Sequence, residues 1–296
     1  EYRRSQWFEG TDPTPHTPSP PDQFEPTYQT DQALAVLKKW KDRPFLLMVS
    51  YVPPHPPRNW RRDWDADFPP AFPYGVKAEA LKLRGNVPAF AERAHPAVAN
   101  PKKQDPGARA FLRNYYGAIL SMEPEIQRLR EGLVANGIDE RTIVVFTSDH
   151  GDLAGSHGRY LKQKPYEESV RIPLGFRWPG RLERRVLRAP VSQVDIFPTV
   201  AGLAKVPFTP VHGRDLSDAL LAGIDPEDPV VSACHLQNPA LTWWQLRDER
   251  YSFTEWVRPG EEQEPLLFDL QNDPYQLKNL ATATDQMDRV QAMRED

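Results

Sequence analysis

Cysteine is nearly missing from this sequence: 296 residues carry one, Cys234. A single thiol excludes an internal disulfide framework and a Cys-rich zinc site. Long apolar runs are missing too. None approaches the roughly 18–20 residues needed to span a bilayer, so no membrane insertion is expected. No signal peptide opens the chain, which starts Glu1-Tyr2-Arg3-Arg4 without an initiator Met or an apolar stretch. Such a start is expected of a chain whose natural N-terminus, with any address label, lies upstream. Nor is charge of one sign in excess. With 37 Lys and Arg against 41 Asp and Glu, the formal net charge is −4, and no overall field draws the chain to nucleic acid. An anionic ligand must therefore be met by locally placed cations.

Proline, by contrast, is plentiful, with 32 residues that cluster. Residues 12–21 and 53–73 are too rich in it for regular helix or central strand, and read as irregular loop or linker. The apolar fraction of 39% is compatible with a packed core. The length suits one large domain, or one domain with a small appendage.

Between the proline clusters the periodicity is regular. Residues 30–40 have helical spacing, with Ala33, Leu34 and Leu37 on one face, and Pro44 stops them. Residues 45–52 (FLLMVSYV) form a continuous apolar run, the pattern of a strand buried on both faces. Residues 108–136 are helical again, with Pro124 expected to kink or split the helix and Gly137 to end it. A second apolar strand, residues 142–147, leads into Ser148-Asp149-His150-Gly151. Helix then buried strand, twice, points to an α/β layer with a parallel sheet. A third strand is expected over 172–178 and a short helix over 195–204. Beyond residue 230 short aromatic strands over 243–246, 251–256 and 266–270 predict a small antiparallel sheet, closed by a helix from about 284.

Three places carry candidate chemistry. Asp149 and His150 lie just past the C-terminal end of a buried strand, the sheet edge where α/β proteins bind ligands. Side by side they can reach one cation, while Gly151 lets the backbone turn tightly; alone, the same residues read equally as a strand-end turn with an Asp cap. Lys162 falls in a loop with His157, Lys164 and two glycines, and a lysine there can hold a tetrahedral anion as a point charge. A solvated basic loop is the plainer account of one such lysine. His55, stiffened between prolines after the first apolar run, is placed as a proton donor near neutral pH, or is simply a loop histidine.

Taken together, these places have a family resemblance. The order PFLLMVSYVPPHPP, YYGAILSMEPEIQRL, TIVVFTSDHGDLAGSHG and KQKPYEESVRIPL, followed by VSQVDIFPTVAGLA, HGRDL and LFDLQNDPYQLKNL, closely resembles the type I, formylglycine-dependent sulfatases over nearly the whole chain. The resemblance implies an alkaline-phosphatase-like α/β sandwich with a mostly parallel central sheet, its N-terminal part missing. Residues 1–229 would belong to that layer, and 230–296 to a small C-terminal subdomain with an antiparallel sheet and terminal helix. It implies that Asp149 and His150 are metal ligands, with calcium the usual ion. A histidine is an unusual partner for so hard a cation, which leaves Mg²⁺ or Mn²⁺ open. It further implies that Lys162 grips the sulfate and that His55 protonates the leaving alcohol. His157 matches a recurrent position without a role. The resemblance favours a periplasmic or secreted location.

Some of the family pattern is absent from these residues. The nucleophile of such enzymes begins as Cys in a Cys-x-Pro-Ser-Arg type motif and becomes formylglycine. Neither this motif, nor the acidic pair that completes the metal site, nor a Lys-Trp-His type segment occurs here. Cys234, in Ser232-Ala233-Cys234-His235, has the wrong context and reads as a small thiol in a strand. The 296-residue chain alone is thus expected to have no turnover. Substrate expectations are a sulfate ester, small or carbohydrate, with Arg61, Arg62, Lys102 and Lys103 able to meet an anionic polysaccharide. The rival readings are a phosphonate or phosphate ester hydrolase of the same superfamily, and a non-catalytic binder of sulfated glycans using Trp243 and Trp244 as a platform. Those tryptophans read more simply as core of the small sheet.

Overall fold

The computed structural model describes residues 24–55, 106–153, 156–158, 161–209, 211–226, 229–234, 242–257 and 264–295. The proline-rich stretches 12–21 and 56–73, and Arg61, Arg62, Lys102 and Lys103, lie outside them. The chain divides into two compact units, one formed by 1–91 with 102–142 and the other by 92–101 with 143–296.

In the first unit, helix α1 (Glu25–Trp40) packs on helix α2 (Pro106–Ala135). Helix α1 starts five residues before the expected position. Pro26 falls in its first turn, where a missing N–H removes no helical hydrogen bond. Ala33 and Leu37 are buried, as are Ala118 and Leu133. Helix α2 is continuous through Pro124, so the expected split does not occur there. It ends as expected at Gly137, whose φ is 66°. There Gly137 N–H donates to the Val134 carbonyl and Ile138 N–H to the Leu133 carbonyl, a Schellman arrangement with Leu133 and Ile138 buried together. A polar seam also ties the helices: Thr27 donates to Glu125 Oε1 at 2.6 Å, and Arg128 bridges Glu125 and Asp31.

Residues 45–52 differ from expectation. They run along α1, where Gln29 Nε2 reaches the Ser50 carbonyl and the Tyr51 hydroxyl meets Thr30 Oγ1 at 2.6 Å. They pair in no ladder among the described residues, and Leu46 and Met48 are each 85% exposed. A strand is a shared object: without a neighbour its N–H and C=O rows go unpaired and its apolar faces stay wet.

The second unit holds two antiparallel ladders. Strand β1 (Val144–Thr147) pairs with β2 (Leu174–Arg177) in the register Val144↔Arg177. Phe146 is about half exposed, so this pair too lacks the second covered face that its apolar run implied. Between these strands lies one helical turn, α3 (Glu167–Val170). Helices α4 (Ile196–Ala204) and α5 (Ser217–Ala222) follow. The buried Asp195 carboxylate before α4 accepts from Arg214 and from two backbone N–H groups.

The remainder is a meander of β3 (Val230–Cys234), β4 (Trp243–Arg247), β5 (Tyr251–Trp256) and β6 (Leu266–Asp269), in that spatial order, closed by helix α6 (Met287–Glu295). Leu246, Tyr251, Phe253 and Leu267 pack with Val290 and Met293 of α6, and Trp244 joins them. Trp243 is buried as well. Both tryptophans are therefore core, as their aromatic strand pattern suggested, and no sugar platform is formed by them. Cys234 ends β3, half-buried, and burial pushes its thiol up.

Candidate active site

The site begins where β1 stops. Ser148 to Gly151 leave the strand in a tight, hydrogen-bonded turn. The Ser148 hydroxyl donates to the His150 carbonyl at 3.0 Å, and the Ser148 carbonyl accepts from Gln193 Nε2 at 2.7 Å. Gly151 N–H donates to the Ser169 carbonyl at 2.8 Å, and a Cβ at Gly151 would collide with the carbonyl of Glu168. Glycine is required here because one backbone lies against another, more than for a special φ.

Within this turn the two expected ligands are brought together. His150 Nε2 lies 3.2 Å from Asp149 Oδ2, and the Asp149 side chain is 82% exposed. His150 Nδ1 lies 2.7 Å from the Gly151 carbonyl oxygen. A carbonyl only accepts, so Nδ1 carries the proton. In the neutral ring Nε2 is then a lone pair facing a carboxylate oxygen. With Nδ1 as the donor, Nε2 and Asp149 Oδ2 present two acceptors able to share one metal ion. A ring that donates its far N–H to a backbone carbonyl is also the usual posture of a ligating histidine. Atoms 3.2 Å apart can bind one ion at about 2.3 Å each with an angle near 90°. The pair therefore fits one edge of a metal site. Among the described residues no group of three or more His, Cys, Asp or Glu completes it.

Lys162 is carried on the same loop system. Leu153 N–H donates to the Leu161 carbonyl at 2.7 Å, and Leu161 N–H to Asp152 Oδ1 at 3.1 Å, which ties the start of the lysine loop to the segment following His150. Lys162 is half-buried, and among the described residues its ammonium has no hydrogen-bond or ion-pair partner. Its neighbours Leu161 and Gln163 have φ of 69° and 72°, and His157 has 54°. Left-handed backbone at non-glycine residues costs on the order of 1–3 kcal/mol each. It persists only where the surroundings enforce it.

His55 belongs to the first unit. It is exposed, in the turn after the extended apolar segment, where its N–H donates to the Val52 carbonyl at 3.0 Å.

Two residues missed in the sequence stand out. Glu168 is largely buried, and burial raises its carboxyl above the ordinary range, although the Ser156 hydroxyl works the other way. Its Oε2 lies 3.9 Å from His157 Nε2, and the His157 ring stacks on Tyr166 with centroids 3.7 Å apart. Gln245 is the other, 1% exposed in the middle of β4. The signal for it was available: one amide inside the apolar run Trp243-Trp244-Gln245-Leu246.

Comparison with known proteins identifies the family. The sulfatase family model matches residues 10–206, and the model for the C-terminal region of N-sulphoglucosamine sulphohydrolase matches 155–296. An ulvan-active sulfatase of Formosa agariphila is 30% identical over 251 residues, 81% of this chain and 44% of that protein. A solved structure associated with the metabolism of multiple glycosaminoglycans by Bacteroides thetaiotaomicron superposes with a TM-score of 0.74 at 25% identity, covering 98% of this chain and 61% of that one. The phosphonate monoester hydrolase of Silicibacter pomeroyi superposes with a TM-score of 0.69 at 24% identity, covering 92% and 58%. The alkaline-phosphatase-like α/β fold is thus shared by all, whereas the chain spans about half the length of the curated relatives it matches.

Proposed function

Because the chain belongs to the sulfatase family, we propose that the whole protein carrying it hydrolyses a sulfate ester on a carbohydrate, with this chain supplying one edge of the active site. The observation that carries the reading is the acceptor pair at the end of β1. Asp149 Oδ2 and His150 Nε2, 3.2 Å apart, can share one cation. A divalent ion held there, most simply Ca²⁺ with Mg²⁺ or Mn²⁺ as alternatives, would act as a Lewis acid on the sulfuryl oxygens.

In this reading, Lys162 places its ammonium against a sulfuryl oxygen. It stabilises charge that grows as the ester bond breaks, and such placed charge is commonly the largest catalytic contribution. His55 delivers a proton to the departing alcohol oxygen, so that an alcohol rather than an alkoxide leaves. The formylglycine nucleophile would come from outside these 296 residues. The carbohydrate preference rests on the relatives, one active on ulvan and one linked to glycosaminoglycan metabolism.

The phosphonate ester reading has one observation in its favour, the shared fold of the Silicibacter pomeroyi enzyme. Fold alone does not separate the two chemistries. The test is to assay the whole protein with sulfated oligosaccharides, 4-nitrophenyl sulfate and a phenylphosphonate monoester, with and without a chelator. Sulfate release lost on chelation and in Lys162→Ala is the expected result. Hydrolysis of the phosphonate alone would overturn it. The isolated 296-residue chain is expected to release no sulfate above a His55→Ala/Lys162→Ala double variant.

A further inference from the structure

The small C-terminal sheet turns one face to α6 and the other to the lysine loop. Along β4, Trp244 and Leu246 go to the helix side. The alternate residues go to the loop, and they do so in step. Trp243 Nε1 donates to the Gln163 carbonyl at 3.3 Å, Gln245 Nε2 to the Pro165 carbonyl at 2.9 Å, and Arg247 Nε to Glu167 Oε1 at 3.3 Å. All three pairs have the same sequence separation, 80. The loop therefore runs alongside β4 and is contacted at every second residue.

A second row supports the first. Thr254 and Ser252 of β5 stand opposite Gln245 and Arg247. Gln245 Nε2 also donates to Thr254 Oγ1 at 3.0 Å. Gln276, only 2% exposed, accepts from the Glu167 N–H at 2.6 Å and donates to Ser252 Oγ at 3.2 Å. Burying two amides in a domain this small is costly unless each is fully used. Both are spent on backbone groups of the segment that follows Lys162.

We infer that Trp243, Gln245 and Gln276 are positioning residues for Lys162: through the carbonyls of Gln163 and Pro165 and the N–H of Glu167 they fix the loop that aims its ammonium. This rests on the reading of Lys162 as the cation that holds sulfate. The left-handed Leu161 and Gln163 beside it are the strained conformation that such anchoring has to enforce. The three side chains spend their polar atoms on the loop backbone and on β5, so in this reading their effect passes through the lysine.

The test uses the whole protein and inorganic sulfate as probe. Acylation of the Lys162 amine is followed by mass spectrometry while sulfate is titrated, and sulfate should protect the amine. In Gln245→Met and in Trp243→Phe, which removes only the indole donor, half-protection should need about fivefold more sulfate, the loss set by one hydrogen bond. Unfolding of both variants should stay above the assay temperature. Gln276→Met, which removes the oxygen that accepts from the Glu167 N–H, should shift the titration likewise. Equal protection in Trp243→Phe, Gln245→Met, Gln276→Met and the parent would overturn the positioning role alone. If sulfate fails to protect Lys162 in the parent, the sulfate-holding reading falls and the positioning role with it.

Discussion

Two runs with strand-like patterns in this chain have opposite fates. Residues 45–52 carry seven apolar side chains in eight positions, yet Leu46 and Met48 stand in water and no ladder forms among the described residues. Residues 251–256 are less apolar, yet they make the middle of a four-stranded sheet with Phe253 fully buried. The difference is where the partner comes from. Strand β5 finds β4 across a short turn, in which Asp248 accepts from the N–H groups of Arg250 and Tyr251. A strand of a parallel layer has no such local partner and depends on chain brought from far away. Apolar content decides that a segment wants covering; sequence distance decides whether the covering is at hand.

The contrast can be broken at its strong end first. Phe253→Ala should destabilise the second unit by about 3–5 kcal/mol, since a fully buried ring leaves a cavity. Chemical denaturation should show a lower midpoint, and an unchanged midpoint would mean the sheet is not the self-sufficient element described. Gly151→Ala is an intermediate case. Its methyl meets the Glu168 carbonyl, and the backbone shift should cost about 1–3 kcal/mol. It should also weaken divalent-ion binding, read by calorimetry on the whole protein. Met48→Ser marks the weak end: in the 296-residue chain an exposed side chain should change stability by less than about 0.5 kcal/mol. A loss of several times that would show residue 48 to be covered after all.

The same division explains what could be read in the sequence. Helix α2, its stop at Gly137 and the bounds of β5 were legible because periodicity and turn chemistry are local. Asp149, His150 and Lys162 were singled out through motif order, and the structure sets the first two 3.2 Å apart. The failure of 45–52 to pair was not legible, because the pattern of a buried strand is the same whether or not its neighbour is present. Nor was Glu168, since a Glu-Glu doublet reads as a solvated face until tertiary packing hides one member. Gln245 and Gln276 sit 31 residues apart in sequence and converge on one loop only once the sheet has formed.

The register of β4 against the lysine loop also makes the candidate site sensitive to odd and even. Side chains of a strand change sides at every residue, so inserting or deleting one position within 243–247 would exchange the two faces wholesale. Leu246 or Trp244 would then confront the Pro165 carbonyl, and Gln245 would be driven under α6. A two-residue change would keep polarity on the right side and merely slide the loop by one notch. Among relatives with this sheet, length variation should therefore collect in the connections flanking β4 and spare the strand, because the strand keeps count for a lysine 80 or so residues upstream.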